Sequence, residues 1–338
     1  MTADRSGPWS GHRDGEPDGI IPLSPVRREP HDPAWAEREP ARRGILVIDK
    51  PSGQTSHDVV AAVRRAAGAR RVGHAGTLDP LATGVLVVCL GSATRVVEEI
   101  QAGPKRYEAR LRLGVTTTTY DAQGDVIERR DPSGTGRQDV ERALHAFRGA
   151  IEQIPPMVSA LHHQGRRLYE LARQGLEVER APRPVTVHSL ALTDWSPPEL
   201  ALTMEVSAGT YVRSIAHDLG AALGVGAHVV ALRRTAVGRF ELAEALPLPR
   251  VIEAFAEGWW PRLLLPLDTA LLDYEALVVT AEHEQDIRHG RAFDGPPPAA
   301  DPSAPVRAYS ATGRFLALLR WDAIDRRWRP ERVFPTDS

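Results

Sequence analysis

The sequence predicts an α+β fold with a small β-rich module at its C-terminal end. Strand-like and helix-like segments follow one another without the regular alternation of a βαβ protein. From about Leu263 the pattern changes to short strand-like runs around a proline-rich loop. The chain of 338 residues, 42% hydrophobic and 25% charged, is long enough to bury the cores of two domains. We therefore expect a disordered extension over residues 1–43, a main domain over 44–262 and the β-rich module over 263–338.

The first 43 residues mix Pro, Gly, Arg and acidic residues with no helical or strand period, which is typical of a disordered segment. They lack the hydrophobic stretch of a signal peptide, and no apolar run in the chain approaches the roughly 20 residues that cross a bilayer. These features predict a cytoplasmic protein. The single cysteine, Cys89, excludes an internal disulfide framework, and its apolar neighbours indicate that it is buried.

The main domain is expected to begin with a short buried strand over residues 45–48 and a turn through Pro51 and Gly53. An amphipathic helix follows, with Ser56 as its N-cap and Gly68 at its end. The apolar run GVLVVCLG then predicts a strand that is buried on both faces.

The middle of the chain alternates between the two periodicities. Strict alternation in KRYEARLRLG predicts a strand with Tyr107 on its buried face, and DAQGDVIER predicts a hairpin. Helices are expected over DVERALHAFRG and over GRRLYELARQG, the second ending at Gly175. The strand in LALTMEVSAGTYVRS breaks at Gly209, before a helix that is predicted to start near Ser214. VRAYSA, RFLALLRW and RWRPERVF predict the strands of the C-terminal module.

The charge balance argues against a uniformly basic nucleic-acid binder, because the net charge is −2. A balanced total can still hide a local basic patch. Forty of the 42 basic residues are Arg, and the only lysines are Lys50 and Lys105. The Arg cluster at the end of the first helix fits either a solvated helix face or a surface that binds phosphates.

Several motifs of cofactor-dependent enzymes are missing from the sequence. No GxxxxGK[ST] phosphate loop occurs, GVGAHV lacks the third glycine of a dinucleotide fingerprint, and one cysteine cannot form CxxC. HEQDIRH is not HExxH, since Ile287 stands where the second ligand should be, and the adjacent His162 and His163 are a weak metal signal. An enzyme with this sequence is expected to work without a nucleotide, a metal or a redox cofactor.

Three segments carry candidate catalytic residues. GHAGTLDPLATG places Asp79 between glycine-rich turns and directly before a proline, Tyr107 lies at the start of a strand, and GTYVRS places Tyr211 and Arg213 at a strand-to-helix break. Each also has a structural explanation: a turn for the aspartate, core packing for the tyrosines, and an ion pair for the arginine.

Tyr211 and Arg213 are two residues apart in a segment that is expected to be extended, so their side chains should point to the same face. If that face covers Asp79, a guanidinium beside a phenol would hold a buried carboxylate ionised. Such a site could carry out nucleophilic or acid-base chemistry on an uncharged ring.

Six segments together resemble the bacterial TruB family of tRNA pseudouridine-55 synthases: VIDKPSGQTSHDVV, GHAGTLDPLATGVL, KRYEARLRLG, IPPMVSALHHQGRRLYELARQG, GTYVRSIAHDLG and LGVGAHVVALRRTAVGRF. The similarity runs in family order from about Gly44 to about Leu246. The C-terminal module resembles the small PUA-like domain of the same family. The resemblance implies a pseudouridine synthase fold, with a mixed, mainly antiparallel central sheet flanked by helices and a PUA-like C-terminal RNA-binding domain.

The resemblance also implies roles for the candidate residues. Asp79 would be the nucleophile and would pair with Arg213. Tyr107 would stack on the uracil ring, and Tyr211 would lie close enough to assist removal of the C5 proton.

Other residues are implied to support the site. His74 is similar to a family histidine that occupies space among the displaced loop bases, and Leu232 matches an apolar wall of the base pocket. In TTTTYDAQGD this chain has Thr118 where many family members carry Asp, whereas Asp121 matches a family acid and is expected to be a supporting carboxylate.

The implied reaction isomerises uridine 55 in the T-loop of tRNA to pseudouridine. The bond from N1 to C1′ breaks, the uracil rotates, and C5 joins C1′. No redox change or energy source is needed, which agrees with the missing cofactor motifs. Asp79 could attack C1′, add at C6, or remove a proton from C2′ to give a glycal, and the sequence leaves these routes open.

The expected partner is the T-arm loop of tRNA, because a base in a loop can be flipped out of its stack for about a few kcal/mol. The candidates for contacts with the RNA backbone are Lys50, Arg64, Arg65, Lys105 and Arg106. No membrane, nucleotide or metal partner is expected. The lack of a heptad pattern predicts a monomer.

Two other functions compete with the isomerase. A non-catalytic tRNA-binding protein or tRNA folding chaperone would use the same surface, but binding alone needs no nucleophile. A hydrolase with an aspartyl nucleophile is less favoured, because no metal or phosphate-binding motif accompanies Asp79.

Overall fold

The computed structural model describes residues 20–23, 43–159, 161–163, 165–299 and 301–334. They fall into two compact units, a larger one over residues 43–270 and a smaller one that combines residues 20–23 with 271–334. Neither unit contains, among these described residues, a helix with the length and apolar character needed to cross a membrane.

The boundary between the units lies after Ala270 rather than after the predicted residue 262. The reason is visible at Leu265, whose backbone exchanges two hydrogen bonds, of 2.9 and 2.8 Å, with Ile45 of the larger unit. The segment just after residue 262 is therefore tied to the first strand of the main domain.

The predicted disordered extension over residues 1–43 lies almost entirely outside the described residues. Its described part includes a strand, β1 (Ile20–Leu23), which pairs antiparallel with residues 276–279 of the smaller unit. For these four residues the prediction of disorder is wrong. Pro22 cannot donate a backbone hydrogen bond, and β1 is the edge strand of its sheet, where proline is tolerated.

The larger unit contains six α-helices and fourteen strands among its described residues. The helices are α1 (Ser56–Ala67), α2 (Val97–Ala102), α3 (Arg137–Leu144), α4 (Leu168–Arg173), α5 (Val212–Ala222) and α6 (Leu248–Glu257). The strands are β2 (Gly44–Lys50), β3 (Val72–His74), β4 (Thr83–Leu90), β5 (Lys105–Leu113), β6 (Val115–Thr117), β7 (Val126–Arg129), β8 (Gly149–Gln153), β9 (His162–His163), β10 (Arg166–Arg167), β11 (Arg183–Ser196), β12 (Glu199–Val206), β13 (Ala227–Val237), β14 (Phe240–Glu241) and β15 (Leu246–Pro247).

Ten of these strands form one sheet, in the order β15-β2-β4-β13-β5-β12-β11-β8, with β3 added to β4 and β14 added to β13. The pairs β13 with β4 and β15 with β2 are parallel, and the other pairs are antiparallel. The prediction of a mixed, mainly antiparallel sheet is confirmed. Strands β6 and β7 form the predicted hairpin beside it.

Helix α1 is set by its capping residues. Thr55, rather than the predicted Ser56, is the N-cap: its side chain accepts from the Asp58 backbone, and the Asp58 carboxylate accepts in return. Gly68 ends the helix with φ 56°, as predicted. Ser56, the first helical residue, is buried, and its hydroxyl forms hydrogen bonds with the backbone of Leu78.

The burial of side chains on β5 and β4 follows the alternating and the continuous apolar patterns of their sequences. On β5 the buried and exposed residues alternate, with Ala109 and Leu111 in the core and Arg110 exposed between them. Strand β4 is buried over residues 84–90, as its continuous apolar run predicts.

Helix α5 begins at Val212, two residues before the predicted start near Ser214, and Tyr211 is its N-cap residue. Arg213 therefore lies in the first helical turn, and the expectation that it shares an extended segment with Tyr211 is wrong. The extended backbone ends earlier, because the turn after Ser207 reverses the chain at Gly209.

The smaller unit is β-rich, as predicted. Besides β1 it contains β16 (Ala276–Val279), α7 (Ala281–Arg288), β17 (Phe293–Asp294), β18 (Val306–Ser310), β19 (Phe315–Asp322) and β20 (Arg327–Val333), with the sheet order β1-β16-β18-β19-β20-β17. Ile287 of the helix packs with Phe293 and Trp328 in a separate core. The proline-rich segment connects β17 to β18.

Strands β4 and β13 approach each other so closely at Gly84 that only glycine fits. A Cβ on Gly84 would lie 2.2 Å from the carbonyl oxygen of Arg234, and the residue has φ +96°. We expect Gly84→Ala to lower the free energy of unfolding by more than 2 kcal/mol, roughly, because backbone atoms cannot move aside without disturbing the sheet. Gly238→Ala is the control, since Gly238 also has positive φ (+53°) but nothing lies within 4 Å of its added Cβ. The free energy of unfolding of Gly238→Ala should fall by only about 1 kcal/mol. Equal decreases for Gly84→Ala and Gly238→Ala in urea denaturation would contradict the steric explanation.

Candidate active site

A cavity of about 530 Å³ opens in the larger unit. Its lining residues come from five regions of the chain: Gly76, Thr77, Leu78 and Asp79; Glu98, Gln101, Ala102, Lys105 and Tyr107; Ser159; residues 206–213; and Leu232 with Arg234. Six predicted site residues thus line one cavity: Asp79, Lys105, Tyr107, Tyr211, Arg213 and Leu232.

Asp79 and Arg213 form a two-pronged ion pair. The Nη2 atom of Arg213 donates to Oδ1 of Asp79 over 2.9 Å, and Nε lies 2.8 Å from Oδ2. A third of the Asp79 side chain is exposed, whereas only 4% of the Arg213 side chain is. The carboxylate is therefore held from the protein side and open toward the cavity.

Arg213 also holds the segments around the pair. Its guanidinium donates to the carbonyl oxygens of Thr119 (3.0 Å) and Val158 (2.8 Å), and its Nε lies 3.7 Å from Oδ2 of Asp121. Burial raises the pKa of Asp79 above its ordinary value, the nearby Asp121 carboxylate adds to the rise, and the Arg213 charge acts against it. The Arg213 cation therefore favours the ionised form of Asp79 against the effect of burial.

Asp121 is buried and is held by its own loop. Its Oδ1 accepts from the Thr119 hydroxyl over 2.6 Å and from the Gln123 backbone over 3.0 Å. Thr118, where many members of the resembled family carry Asp, donates its backbone N–H to Asp125 and accepts from the Asp125 backbone through its hydroxyl. Asp121 is therefore the carboxylate of this segment that faces Arg213.

The loop that carries Asp79 is fastened by backbone contacts on both sides of the aspartate. The Ser56 hydroxyl accepts from the Leu78 backbone over 2.8 Å and donates to its carbonyl over 3.1 Å. On the other side Lys50 donates to the carbonyl of Pro80 over 3.4 Å, and the Gly53 backbone donates to the same oxygen over 2.8 Å. These contacts fix the direction of the Asp79 side chain.

Arg234 holds the start of the same loop from beneath. It is 1% exposed, and its guanidinium donates to the carbonyls of Val85 (2.8 Å), Gly76 (3.0 Å) and Thr77 (3.4 Å). Only the Gly and Thr carbonyls belong to the loop, while the Val85 carbonyl belongs to β4. The loop and the central sheet are thereby joined through one side chain.

The turn before α5 sets the position of Tyr211. The side-chain amide of Gln153 accepts from the Tyr211 backbone over 2.7 Å and donates to its carbonyl over 3.0 Å. Burial raises the pKa of the Tyr211 phenol above its ordinary value, so it stays protonated at neutral pH. Tyr211 can therefore act in the cavity as a neutral hydrogen-bonding group.

Tyr107 and Leu232 lie on neighbouring strands. Tyr107 of β5 pairs with Arg234 of β13, and Leu232 pairs with Ala109. Both side chains line the cavity, and Leu232 is 7% exposed. An aromatic ring and an apolar branched side chain thus flank the space beside Asp79, which suits a flat ring.

His74 is not among the residues that line this cavity. It lies on β3 and is partly buried, and its Nδ1 atom has no hydrogen-bond partner among the described residues. Burial lowers its pKa, so the neutral form is favoured. Its expected place among displaced bases stays a prediction.

Both lysines are buried. Lys50 is fully buried and donates to the carbonyls of Pro51 (2.8 Å) and Gln54 (2.6 Å) as well as to the loop, so the prediction that it contacts the RNA backbone is wrong. Lys105, 7% exposed, lies in the cavity wall, and a contact between its side chain and the RNA backbone stays a prediction. Both side chains are used inside the protein.

The predicted arginines are exposed. Arg64 and Arg65 lie in the last turn of α1, and Arg106 alternates with buried residues on β5. Arg64 donates to the carbonyl of Val72 over 3.1 Å, and Arg106 pairs with Glu241. Their guanidinium groups remain accessible to a large anionic partner.

The place of Arg234 in the cavity wall was not predicted, and Gln153 was not predicted to have any role at the site. In AHVVALRRTAV, Arg234 occupies the same strand face as Leu232 and Ala236, so alternation alone could have indicated an inward-pointing arginine. Gln153 offers no such signal, because its partner Tyr211 is 58 residues away.

The cavity therefore joins a fixed carboxylate, a neutral phenol and an aromatic ring. This set can carry out nucleophilic or acid-base chemistry on a ring compound. Within the part of the chain that the structure describes, no group of three or more His, Cys, Asp and Glu side chains is arranged to hold a metal ion.

Comparison with known proteins finds one family along most of the larger unit. Residues 64–212 match the family model described as TruB family pseudouridylate synthase (N terminal domain), and residues 213–272 match the tRNA pseudouridylate synthase B C-terminal domain. Tyr211 and Arg213 lie at the junction of the two matches.

Curated relatives match over most of their length. The tRNA pseudouridine synthase B of Syntrophotalea carbinolica is 47% identical over 258 residues, which are 76% of this chain and 82% of the relative. That of Pseudomonas aeruginosa is 44% identical over 282 residues, 81% of this chain and 90% of the relative.

Solved structures show the same fold. A chain in the structure of an H/ACA RNP bound to a substrate RNA containing 2′-deoxyuridine aligns with a TM-score of 0.66 and 23% identity, over 96% of this chain and 92% of that chain. A chain of a Cbf5-Nop10-Gar1 complex aligns with a TM-score of 0.65 and 24% identity, over 95% and 90%. Likeness at this identity concerns the fold, which is the predicted pseudouridine synthase fold.

Removing the guanidinium of Arg213 should leave the carboxylates of Asp79 and Asp121 without the cation that lies between them. We expect Arg213→Met to lower the free energy of unfolding by about 3 kcal/mol at neutral pH, because Asp79 and Asp121 lose their buried cation. The pKa of Asp79, already raised, should rise further. The folded variant then binds protons more tightly than the unfolded chain, so its stability should increase as the pH falls toward about 4.

Urea denaturation at both pH values measures this effect. Arg142→Met is the control, because Arg142 is exposed and pairs with an exposed carboxylate, Asp139. It should lose less than about 1 kcal/mol. If Arg213→Met lowers the free energy of unfolding by the same amount at both pH values, the electrostatic explanation is contradicted.

Proposed function

Because the chain belongs to the TruB family of tRNA pseudouridine synthases, we propose that it isomerises uridine 55 in the T-arm loop of tRNA to pseudouridine. The observation that carries the proposal is the Asp79 carboxylate, held by Arg213 at the wall of a cavity that can contain a base. The relatives named tRNA pseudouridine synthase B support tRNA as the substrate class.

Asp79 is the proposed nucleophile. Its ion pair with Arg213 supports the ionised form that attack at C1′ or C6, or proton removal at C2′, requires. The fastened loop supports the same role, because a fixed carboxylate avoids reorganisation during the reaction. Asp121 serves as a supporting carboxylate that helps to orient the Arg213 guanidinium.

The uracil is proposed to lie between Tyr107 and Leu232. Stacking on an aromatic side chain contributes roughly 1–3 kcal/mol per base, which offsets part of the free energy needed to unstack the base. Tyr211, a neutral phenol that lines the same cavity, is proposed to assist removal of the C5 proton after the ring has turned.

The RNA backbone is proposed to contact the exposed arginines Arg64, Arg65 and Arg106. A guanidinium binds phosphate in a planar, two-pronged geometry, so such residues suit this contact better than lysine. We further propose that the protein acts as a monomer in the cytoplasm, where tRNA is its substrate.

The alternative of a non-catalytic tRNA-binding protein or folding chaperone is not favoured. Such a protein needs no carboxylate in its cavity, whereas Asp79 is retained here with an arginine partner despite the free energy needed to bury charge. Binding without chemistry is the outcome of the following experiment that would support the alternative.

Tritium release tests the catalytic role of Asp79. A tRNA transcript with tritium at C5 of uridine is incubated with the parent protein and with Asp79→Asn. The parent should release tritium, and the variant should react at least about 1,000-fold more slowly, since the amide is not a nucleophile. The variant should still bind tRNA, because its cavity keeps the same shape.

Two results would contradict the proposal. Binding of tRNA by the parent without tritium release would favour the chaperone. Undiminished release by Asp79→Asn would remove the aspartate from the mechanism while leaving the isomerase in place.

Salt dependence tests the arginines of α1. Replacing Arg64 and Arg65 together by Gln should weaken tRNA binding. It should also reduce the slope of log Kd against log salt concentration by up to about two, because the variant makes fewer phosphate contacts and its binding therefore releases fewer counterions from the RNA. The control replaces Arg137 and Arg142 of α3, which are also exposed and form ion pairs within their helix. Equal slopes for the two double variants would contradict the assignment.

A further inference from the structure

Lys105 is a buried cation in the wall of the cavity. It is 7% exposed, and its ammonium group donates to the carbonyl oxygens of Gln101 and Gly103, the latter over 2.6 Å. Among the residues that the structure describes, no carboxylate forms an ion pair with it. Its charge is solvated by carbonyl dipoles alone.

Arg234 is a second cation of the same kind. It lines the cavity, and its guanidinium donates hydrogen bonds to the backbone carbonyls of Val85, Gly76 and Thr77. No ion pair of Arg234 is found within the described part of the chain. Repulsion from Arg234 contributes to the lowered pKa of Lys105, so the two charges act on each other across the wall.

The cavity lining carries three cationic side chains, Lys105, Arg213 and Arg234, and two carboxylates, Asp79 and Glu98. Arg213 pairs with Asp79, and its Nε also lies 3.7 Å from Oδ2 of Asp121. Glu98 also lines the cavity, but its side chain is exposed to water, which weakens its field. Lys105 and Arg234 are left to favour an anion inside the cavity.

The proposed reaction creates such an anion by every route left open above. When Asp79 attacks C1′, the electron pair of the bond from C1′ to N1 goes to N1, and the aspartate becomes a neutral ester. When Asp79 instead takes a proton from C2′, a glycal forms and the same electron pair leaves on N1. When Asp79 adds at C6, a bond forms between its oxygen and C6, and the π-electron pair of the C5=C6 bond moves to C5 and O4 as an enolate. In each case the negative charge passes from Asp79 to the uracil.

We propose that Lys105 and Arg234 form a cationic wall that stabilises the negative charge on the uracil while it is detached or adding to Asp79. The proposal rests on the proposed isomerase function and assigns to it residues that act on the reacting ring by charge. Preorganised charges in a site of low water content are an effective way to lower a barrier. The wall would also retain the free uracil until C5 meets C1′.

Lys105 gives the wall a dependence on pH. Burial, together with Arg234, lowers its pKa to about 8. The charged and titratable groups that share the cavity with it are Asp79, Glu98, Tyr107, Tyr211, Arg213 and Arg234. Above pH 8 the wall should lose one of its two charges, and the chemical step should slow.

Single-turnover kinetics separates the chemical step from tRNA binding. With enzyme in saturating excess over tritiated tRNA, Lys105→Met should lower the rate of tritium release roughly 10- to 100-fold, with little change in Kd. The control is Arg110→Met, on the same strand, where an exposed arginine pairs with Glu199 over 3.6 Å outside the cavity. It should keep the parent rate.

The pH profile of Lys105→Arg distinguishes charge from structure. Arginine keeps its charge at all accessible pH values, so the decrease in rate above pH 8 in the parent should be absent in this variant. Lys50, whose pKa is also lowered to about 8 by burial, lies outside the cavity lining. A decrease that persists unchanged in Lys105→Arg would assign the titration to another group and overturn the proposal.

The outcomes distinguish this inference from the proposed function. If the parent forms pseudouridine and Lys105→Met matches its rate, the cationic wall is wrong and the isomerase stands. If the parent releases no tritium, the proposed function itself fails. If Lys105→Met unfolds, as circular dichroism would show, the pH profiles of the parent and Lys105→Arg decide the question.

Discussion

The site depends on one buried guanidinium that joins helix α5 to three other segments of the chain. Arg213 enters from the first turn of α5 and contacts Asp79, the Thr119 carbonyl, the Val158 carbonyl and Asp121. A planar group with five donors in a rigid fork can satisfy such a set, whereas an ammonium group could not span it. The position of Asp79 and the closure of two loops therefore have a common cause.

The loop around Asp79 shows why this protein buries so many cations. A turn that approaches a cavity leaves backbone carbonyls without strand or helix partners, and these need donors. Lys50 supplies one at Pro80 and Arg234 supplies two at Gly76 and Thr77. The side chains that hold the loop are thus positively charged, and the field inside the cavity is a consequence of how its wall is built.

The positive charges of Lys105 and Arg234 in the cavity wall bear on the proposed chemistry. In the proposed reaction the substrate base enters uncharged and a negative charge moves from Asp79 to the ring, so the total charge in the cavity does not change. Arg213 stabilises the charge at its starting point, and Lys105 with Arg234 lines the space into which it moves. A wall with fixed charges suits this task, because it needs no rearrangement while the charge shifts.

Most of the local elements, and several of the residues that line the cavity, can be predicted from the amino-acid sequence. The strand over Ile45 to Ile48, the alternation around Tyr107 and the glycine after α1 follow from side-chain periodicity and backbone preference, which act between near neighbours. The resemblance in motifs such as GHAGTLDPLATG supplied Asp79 and its companions. These features depend on residues that are close together in the sequence.

The burial of the charged side chains cannot be predicted from local sequence, because it depends on contacts between distant parts of the chain. Whether Lys50 and Lys105 face RNA or the interior depends on carbonyls elsewhere in the fold, and both proved to be buried. The start of α5 and the strand formed by Ile20–Leu23 likewise depend on partners distant in sequence. Charge burial is settled by long-range packing, because a polar group becomes internal only where the whole fold provides its hydrogen-bond partners.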